Sequence, residues 1–315
     1  MTENNAEKGY LFPHFTNDGR LDKEAVWFSV SYDGLNWIDL GNDEPILASS
    51  LGTTGVRDPF VLYDEQKEKY FIIATDLCTT KGGSWGDFCS KGSRSIVVWE
   101  SKDLLSWSKE RLVEVGIPEA GCVWAPEAVY CKEEKKWFVF WASFVKEEGD
   151  ETGKQRIYGA FTDDFKSFTP TFKYMDAQTQ IIDTNIVWSD GWYYRFSKDE
   201  TNKVIILERC RHLICEQGEQ YEKIHSDFLS RFVGLEGPEA FYSEKIGKWV
   251  LFVDQYGTGK GYLPLLCNDL STGDFSVIDS EKYSIGKRKK RHGSILKIRR
   301  DIVDKLISHY GISRD

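Results

Sequence analysis

Several things are missing from this 315-residue sequence, and each absence closes off a class of protein. No apolar run approaches the roughly 20 residues needed to span a bilayer as a helix. The opening Met1-Thr2-Glu3-Asn4-Asn5 has neither the basic nor the apolar part of a secretory leader, so a cytoplasmic protein is expected. Positive charge is not in excess: 41 Lys and Arg face 50 Asp and Glu, and the net charge of −9 repels phosphate backbones and anionic membranes. Neither nucleic acid nor membrane is an expected partner. The one basic run, Lys287-Arg288-Lys289-Lys290-Arg291, reads as a solvated loop. Nor do the seven cysteines include a Cys-x-x-Cys pair, the spacing of common zinc and redox motifs. Cys78 and Cys89 flank one loop, but nothing else suggests export, and reduced structural thiols are expected.

What the sequence does have is aromatic side chain, 14% of residues including 11 Trp and 15 Tyr. Such enrichment suits strands and also supplies flat faces on which sugars stack. With 41% apolar and 29% charged residues, the composition is that of an ordinary globular domain.

Self-similarity organises the chain. Four segments share a turn-like opening, an alternating apolar stretch, a charged turn and an aromatic stretch. They begin at Arg57-Asp58-Pro59-Phe60, Trp124-Ala125-Pro126-Glu127, Ile182-Asp183-Thr184-Asn185 and Glu236-Gly237-Pro238-Glu239. Each reads as a β-hairpin. A second unit follows, a strand and a polar turn ending in an aromatic, as in Ile96-Val97-Val98-Trp99 and then Asp103-Leu104-Leu105-Ser106-Trp107. An extra second unit, Val26-Trp27-Phe28-Ser29 with Asp33-Gly34-Leu35-Asn36-Trp37, lies near the N-terminus. Its missing hairpin can be assembled from Tyr10-Leu11-Phe12 and Gly293-Ser294-Ile295-Leu296-Lys297-Ile298. The fold expected is all-β, a single five-bladed β-propeller over residues 1–315, its fifth blade closed by strands from both termini. Residues 301–310 carry apolar side chains at helical spacing and should form a short C-terminal helix over an outer surface.

Equivalent positions in different blades converge on the propeller axis, so Asp58, Asp183 and Glu236, each read as preceding the first strand of its hairpin, should be neighbours. Three carboxylates at one rim raise one another's proton affinity, and such crowding is seldom kept for stability. It suits glycosidic cleavage, which needs one protonated carboxyl to donate to the leaving oxygen and one ionised carboxylate to activate water or attack carbon. Glu127 and Glu239 recur as Pro-Glu-Ala in two blades, and that repetition favours a structural role. Arg57, Phe60, Trp124, Trp141 and Asn185 are the candidate sugar contacts, and the loop around Trp85 is placed to close over the pocket. Gly257-Thr258-Gly259-Lys260-Gly261 lacks the spacing of a phosphate loop and reads as a turn.

With these motifs in this order, nearly the whole chain resembles glycoside hydrolase family 43, the arabinofuranosidase, xylosidase and arabinanase group of five-bladed propellers. The resemblance implies inverting hydrolysis, with Asp58 as the general base, Glu236 as the general acid, and Asp183 tuning and orienting that acid. Trp124-Ala125-Pro126 also matches the family's second blade. No cofactor is implied as required. The family often places a histidine near the axis beside a calcium or other cation, and His292 is the matching position. The expected substrate is an oligosaccharide ending in α-L-arabinofuranose, with xylose and galactofuranose open; oligomeric state is not legible. Rival readings are an invertase-like fructosidase using Asp18 of Asn17-Asp18-Gly19 as nucleophile, a phosphorylase using residues 287–291 for phosphate, and a sugar-binding propeller without catalysis.

Overall fold

The polar turns that end the second units show how directly local sequence sets the chain path. Asp33 Oδ1 accepts from the N–H groups of Leu35 and Asn36 at 2.8 and 2.7 Å. Asp103 does the same for Leu105 and Ser106, and Asp164 for Lys166 and Ser167. Two residues upstream a hydroxyl, Ser31, Ser101 or Thr162, accepts from Gly34, Leu104 or Phe165. Two short side chains thus satisfy three backbone donors and reverse the chain before the outermost strand.

The computed structural model describes residues 8–16, 24–216 and 218–313. Its strands form five four-stranded antiparallel sheets, the blades of a propeller. The chain starts in the fifth blade with β1 (Lys8–His14), β2 (Trp27–Ser31) and β3 (Trp37–Asp39). Blade I follows with β4 (Val56–Asp64), β5 (Lys69–Asp76), β6 (Ser95–Ser101) and β7 (Arg111–Glu114), a short helix α1 (Trp85–Ser90) lying between β5 and β6. Blade II is β8 (Trp124–Cys131), β9 (Lys136–Val145), β10 (Lys154–Thr162) and β11 (Phe172–Met175). Blade III is β12 (Ile181–Ser189), β13 (Trp192–Asp199), β14 (Val204–Cys210) and β15 (Glu222–Ile224), followed by α2 (Asp227–Arg231). Blade IV is β16 (Glu236–Ser243), β17 (Lys248–Asp254), β18 (Tyr262–Cys267) and β19 (Ser276–Val277). Finally β20 (Leu296–Arg299) pairs with β1 and completes the fifth blade from the C-terminal side, as the split repeat predicts.

Core clusters lie largely between neighbouring blades. Leu62, Phe71 and Ile73 of blade I pack with Val139, Trp141 and Tyr158 of blade II in one cluster. Each such side chain contributes about 1.5–3 kcal/mol when fully buried, so ring closure is a distributed hydrophobic contact. Helix α3 (Arg300–Tyr310) packs on the fifth blade through Val303 and Leu306. Gly9 permits the approach: a Cβ there would stand 2.5 Å from Val303 Cγ2. Among the described residues no helix is long and apolar enough to cross a membrane.

The innermost strands β4, β8, β12 and β16 each carry a β-bulge at the same place. Register shifts fall between Arg57 and Phe60, Trp124 and Glu127, Ile182 and Asn185, and Glu236 and Glu239. The residues in the left-handed region are Asp58, Ala125, Asp183 and Gly237, with φ of 51, 47, 49 and 52°. A bulge re-aims side chains and is common beside active sites. It also corrects two expectations. The acids lie within the inner strands instead of before them, and Glu236 is not the positional equivalent of the two aspartates, because it precedes the bulge position that Gly237 fills.

The basic run is not a solvated loop. Lys290 is fully buried and its ammonium meets Asp39 at 2.5 Å. Arg288 lies 4.0 Å over the Trp27 ring, and Arg291 reaches the propeller mouth. Local composition alone could not foresee carboxylates brought in from three other segments.

Candidate active site

A small open cleft of about 80 Å³ lies at the end of the inner strands where the bulges sit, lined among others by Arg57, Asp58, Trp124, Asp183, Glu236 and His292. All six were marked by sequence. Phe15, Leu77, Trp85 and Ile182 complete the lining.

Asp58 Oδ2 accepts from the Thr75 hydroxyl at 2.8 Å. Thr75 in turn accepts from the Ala125 N–H at 2.8 Å, which joins blades I and II directly behind this carboxylate. His292 Nδ1 stands 3.5 Å from Asp58 Oδ1 and 3.8 Å from Asp183 Oδ1, so one imidazole faces both aspartates. Asp183 Oδ2 accepts from the Gly237 N–H at 3.0 Å. Burial pushes its carboxyl up to about 6; the charges of Glu236 and Asp58 add to the rise, while His292 and Lys198 oppose it.

Glu236 is held differently. Lys198 Nζ contacts Oε2 at 2.8 Å, and Arg291 Nη2 contacts Oε1 at 2.6 Å. Burial pushes its carboxyl up, but Lys198 and Arg291 outweigh burial and hold it below the ordinary glutamate range. Both cations have a second anchor: Lys198 meets Glu200 at 2.7 Å and lies 4.0 Å over the Tyr256 ring, and Arg291 Nε meets Asp254 at 2.5 Å.

These supporting groups were missed by sequence reading, yet their positions follow a rule. Thr75, Lys198 and Asp254 stand on the second strands β5, β13 and β17, opposite Arg57, Ile182 and Glu236. The signal was the residue cross-strand from the opening of each repeat. Gly237 explains the displaced glutamate: a Cβ there would meet the His292 ring at 2.9 Å and the Tyr262 hydroxyl at 2.9 Å. Blade IV therefore cannot put an acid at the bulge position and carries it one residue earlier.

Arg57 forms a wall of the cleft with aromatics. Its guanidinium lies 4.5 Å from the Phe15 ring centre and 5.4 Å from that of Trp85, with Glu24 at 3.8 Å. Trp85 and Trp124 meet edge to face at 6.1 Å, and Trp85 is 58% exposed. Three expected sugar contacts are elsewhere. Trp141 is 1% exposed in the core between blades I and II, and Phe60 packs against that cluster. Asn185 lies deeper on the axis, where its amide nitrogen donates to Glu127 at 3.0 Å and Glu239 at 2.9 Å. An amide donor aimed between those two carboxylates does not fit a cation there. Around His292, no three His, Cys, Asp or Glu side chains among the described residues bring ligand atoms close enough for a metal ion. Asn17, Asp18 and Gly19 lie outside the described residues.

A five-bladed propeller with three carboxylates in an aromatic-walled axial cleft has the parts that glycoside hydrolysis requires. Residues 5–304 match the family model described as a probable glycosyl hydrolase domain related to glycoside hydrolase family 43, and the chain belongs to that family. It is 30% identical over 234 residues to an α-L-arabinofuranosidase of Bifidobacterium longum, a match covering 66% of this chain and 22% of the relative. The matched region thus spans about a fifth of that protein's length. Solved structures share the fold: an exo-β-1,3-galactanase of Phanerochaete chrysosporium has a TM-score of 0.60 at 12% identity, covering 88% of this chain and 61% of that one. A thermostable family-43 glycoside hydrolase has a TM-score of 0.52 at 18% identity, with 74% and 75% covered.

Proposed function

We propose that this chain hydrolyses glycosidic bonds with inversion, and that the sugar released is a terminal α-L-arabinofuranosyl residue of an oligosaccharide. The observation that carries the reading is the convergence of Asp58, Asp183 and Glu236 on one cleft, each with different partners. Asp58, oriented by Thr75, activates water; Glu236 protonates the departing oxygen; Asp183 tunes and orients through Gly237 and His292. The name of the 30%-identical relative supports arabinofuranose over xylose or galactofuranose. Aryl glycosides of the three sugars test the specificity, and proton NMR of the first-formed anomer tests inversion. Turnover of none of them, with oligosaccharides also inert, would leave the sugar-binding reading.

One observation favours a second assignment of the proton donor. Glu236 is paired with two cations, which favours its charged form, whereas burial favours the neutral form of Asp183 near pH 6. In that reading Asp183 donates and Glu236 stays ionised. Leaving-group dependence separates the two, because losing the general acid spares substrates whose leaving group needs no proton. If Glu236→Gln retains activity on dinitrophenyl glycosides and Asp183→Asn does not, Glu236 is the donor; the opposite pattern assigns Asp183.

A further inference from the structure

Away from the cleft, the connection from β14 to β15 gathers a second set of reactive side chains. Cys210 ends β14 and is 2% exposed. Cys215 is half-buried, and the two sulfurs are in non-bonded contact at 3.3 Å. A carboxylate oxygen of Glu219 joins them, and the three ligand atoms lie within 4.8 Å of one another. Glu219 is itself held in place: its Oε2 accepts from the Glu216 N–H at 3.1 Å and shares a hydrogen bond with His212 Nδ1 at 2.9 Å.

Two thiols and a carboxylate form a donor set for a borderline-soft divalent ion and a poor one for calcium or magnesium, which take oxygen ligands. The spacing Cys-x4-Cys is within the range used by zinc loops. Tetrahedral zinc with its usual thiolate bonds sets two sulfurs about 3.8 Å apart, so the pair needs to open by only about half an ångström. We propose that Cys210, Cys215 and Glu219 bind one zinc-type divalent ion, with His212 orienting Glu219 and the fourth position open to solvent. Binding releases the two thiol protons to water and requires no redox partner. The ion would tie residues 211–216 and 218–221 to blade III. That segment carries Tyr221, whose hydroxyl donates to the Leu213 carbonyl and whose ring lies 3.7 Å under the Arg195 guanidinium. The ion therefore acts on stability and not on sugar chemistry.

The test uses the full chain, reduced and freed of metal, then loaded with Zn(II) and desalted. About one zinc per chain should remain, and its melting temperature should rise with added zinc. Co(II) in its place should give a thiolate charge-transfer absorption. Cys215→Ser should lose both signals while keeping the unloaded melting temperature, and His212→Ala should weaken zinc binding about tenfold. Cys89→Ser, a thiol outside the cluster, should behave as the parent. Failure of the reduced protein to retain zinc, equal retention by Cys215→Ser, or a Cys210–Cys215 disulfide as the only chemistry of the pair would overturn the proposal.

Discussion

Two layers of acids ring the same axis, and their partners separate them. At the mouth, Asp58, Asp183 and Glu236 face Thr75, His292, Lys198 and Arg291. Deeper, Glu127 and Glu239 are 4% and 3% exposed and meet the Asn185 amide; Glu239 also accepts from the Ile295 N–H at 2.8 Å. Burial raises both deep groups, Glu239 to about 8, and the neighbouring Glu239 adds to the rise of Glu127. Burial beside cations leaves Glu236 charged, and deeper burial without them favours neutral carboxyls at Glu127 and Glu239. In the proposed reaction the chemistry belongs to the first layer, whereas burial favours the neutral form of the second, which joins blades II, III and IV.

That contrast is broken most severely by neutralising the mouth. Glu236→Gln should lower kcat/KM on an unactivated glycoside about 10²- to 10⁴-fold with an unchanged melting curve. Glu127→Gln should leave the rate within a few-fold. A comparable loss from Glu127→Gln at full folding would show that the deep layer takes part in the chemistry. Next in size is the removal of a mouth cation. Arg291→Met leaves Glu236 with Lys198 alone and strands the wholly buried Asp254, and should cost about 3–5 kcal/mol in urea denaturation. Lys198→Met should move the Glu236 titration upward in the pH profile of kcat/KM, because a positive neighbour is lost.

The mouth layer was the part legible in the sequence. Asp58, Asp183 and Glu236 open repeated motifs, and a repeat places its openings around one axis. The five blades, including the one split between β1 and β20, were legible for the same reason: each blade restates its alternation and its capped turn. What sequence hid are contacts between blades. Lys198 of blade III and Arg291 of the segment before β20 hold one glutamate of blade IV, and although Lys198 stands cross-strand from a repeat opening, nothing local says that it reaches into the next blade. Asn185 and Trp141 were misplaced for a related reason, since a polar or aromatic residue near a motif can face either the mouth or the interior. Only the bulge after Ile182 decides that Asp183 faces the cleft and Asn185 the deep layer. The one-residue offset of Glu236 needed the His292 ring beside Gly237, from 55 residues further along the chain.

The deep layer makes its own prediction about pH. The Glu239 carboxyl sits near 8 in the folded chain, above the ordinary glutamate value, so the fold favours its protonated form. Its stabilising contribution is complete below about pH 4.5 and is lost as pH rises through 8; Glu127 acts in the same sense. Urea midpoints should therefore fall between pH 5 and pH 9, by an amount on the order of 1–3 kcal/mol in unfolding free energy. Glu127→Gln cannot ionise there and should make the decline shallower. A decline of equal steepness would exclude Glu127 and leave Glu239 to carry the titration, and no decline at all in the parent would place neither group in it.

The smallest expected effect lies at the outer edge of the mouth, where Trp85 offers what the sealed deep layer cannot, an open aromatic face. Trp85 rides on α1, whose N-terminus is capped by Ser84 accepting from the Asp87 N–H, so Trp85→Ala should keep the helix and remove only the ring. Its contacts with Trp124 and Arg57 set the ring at the cleft wall while leaving it more than half exposed. An exposed ring so placed can stack on the part of an oligosaccharide beyond the scissile bond. Trp85→Ala should then raise KM about two- to tenfold on oligosaccharides, with kcat little changed, and leave aryl glycosides unaffected. A kcat loss on both substrate types would instead mean that Trp85 acts through Arg57 on the carboxylates, extending the charged mouth layer out to the rim.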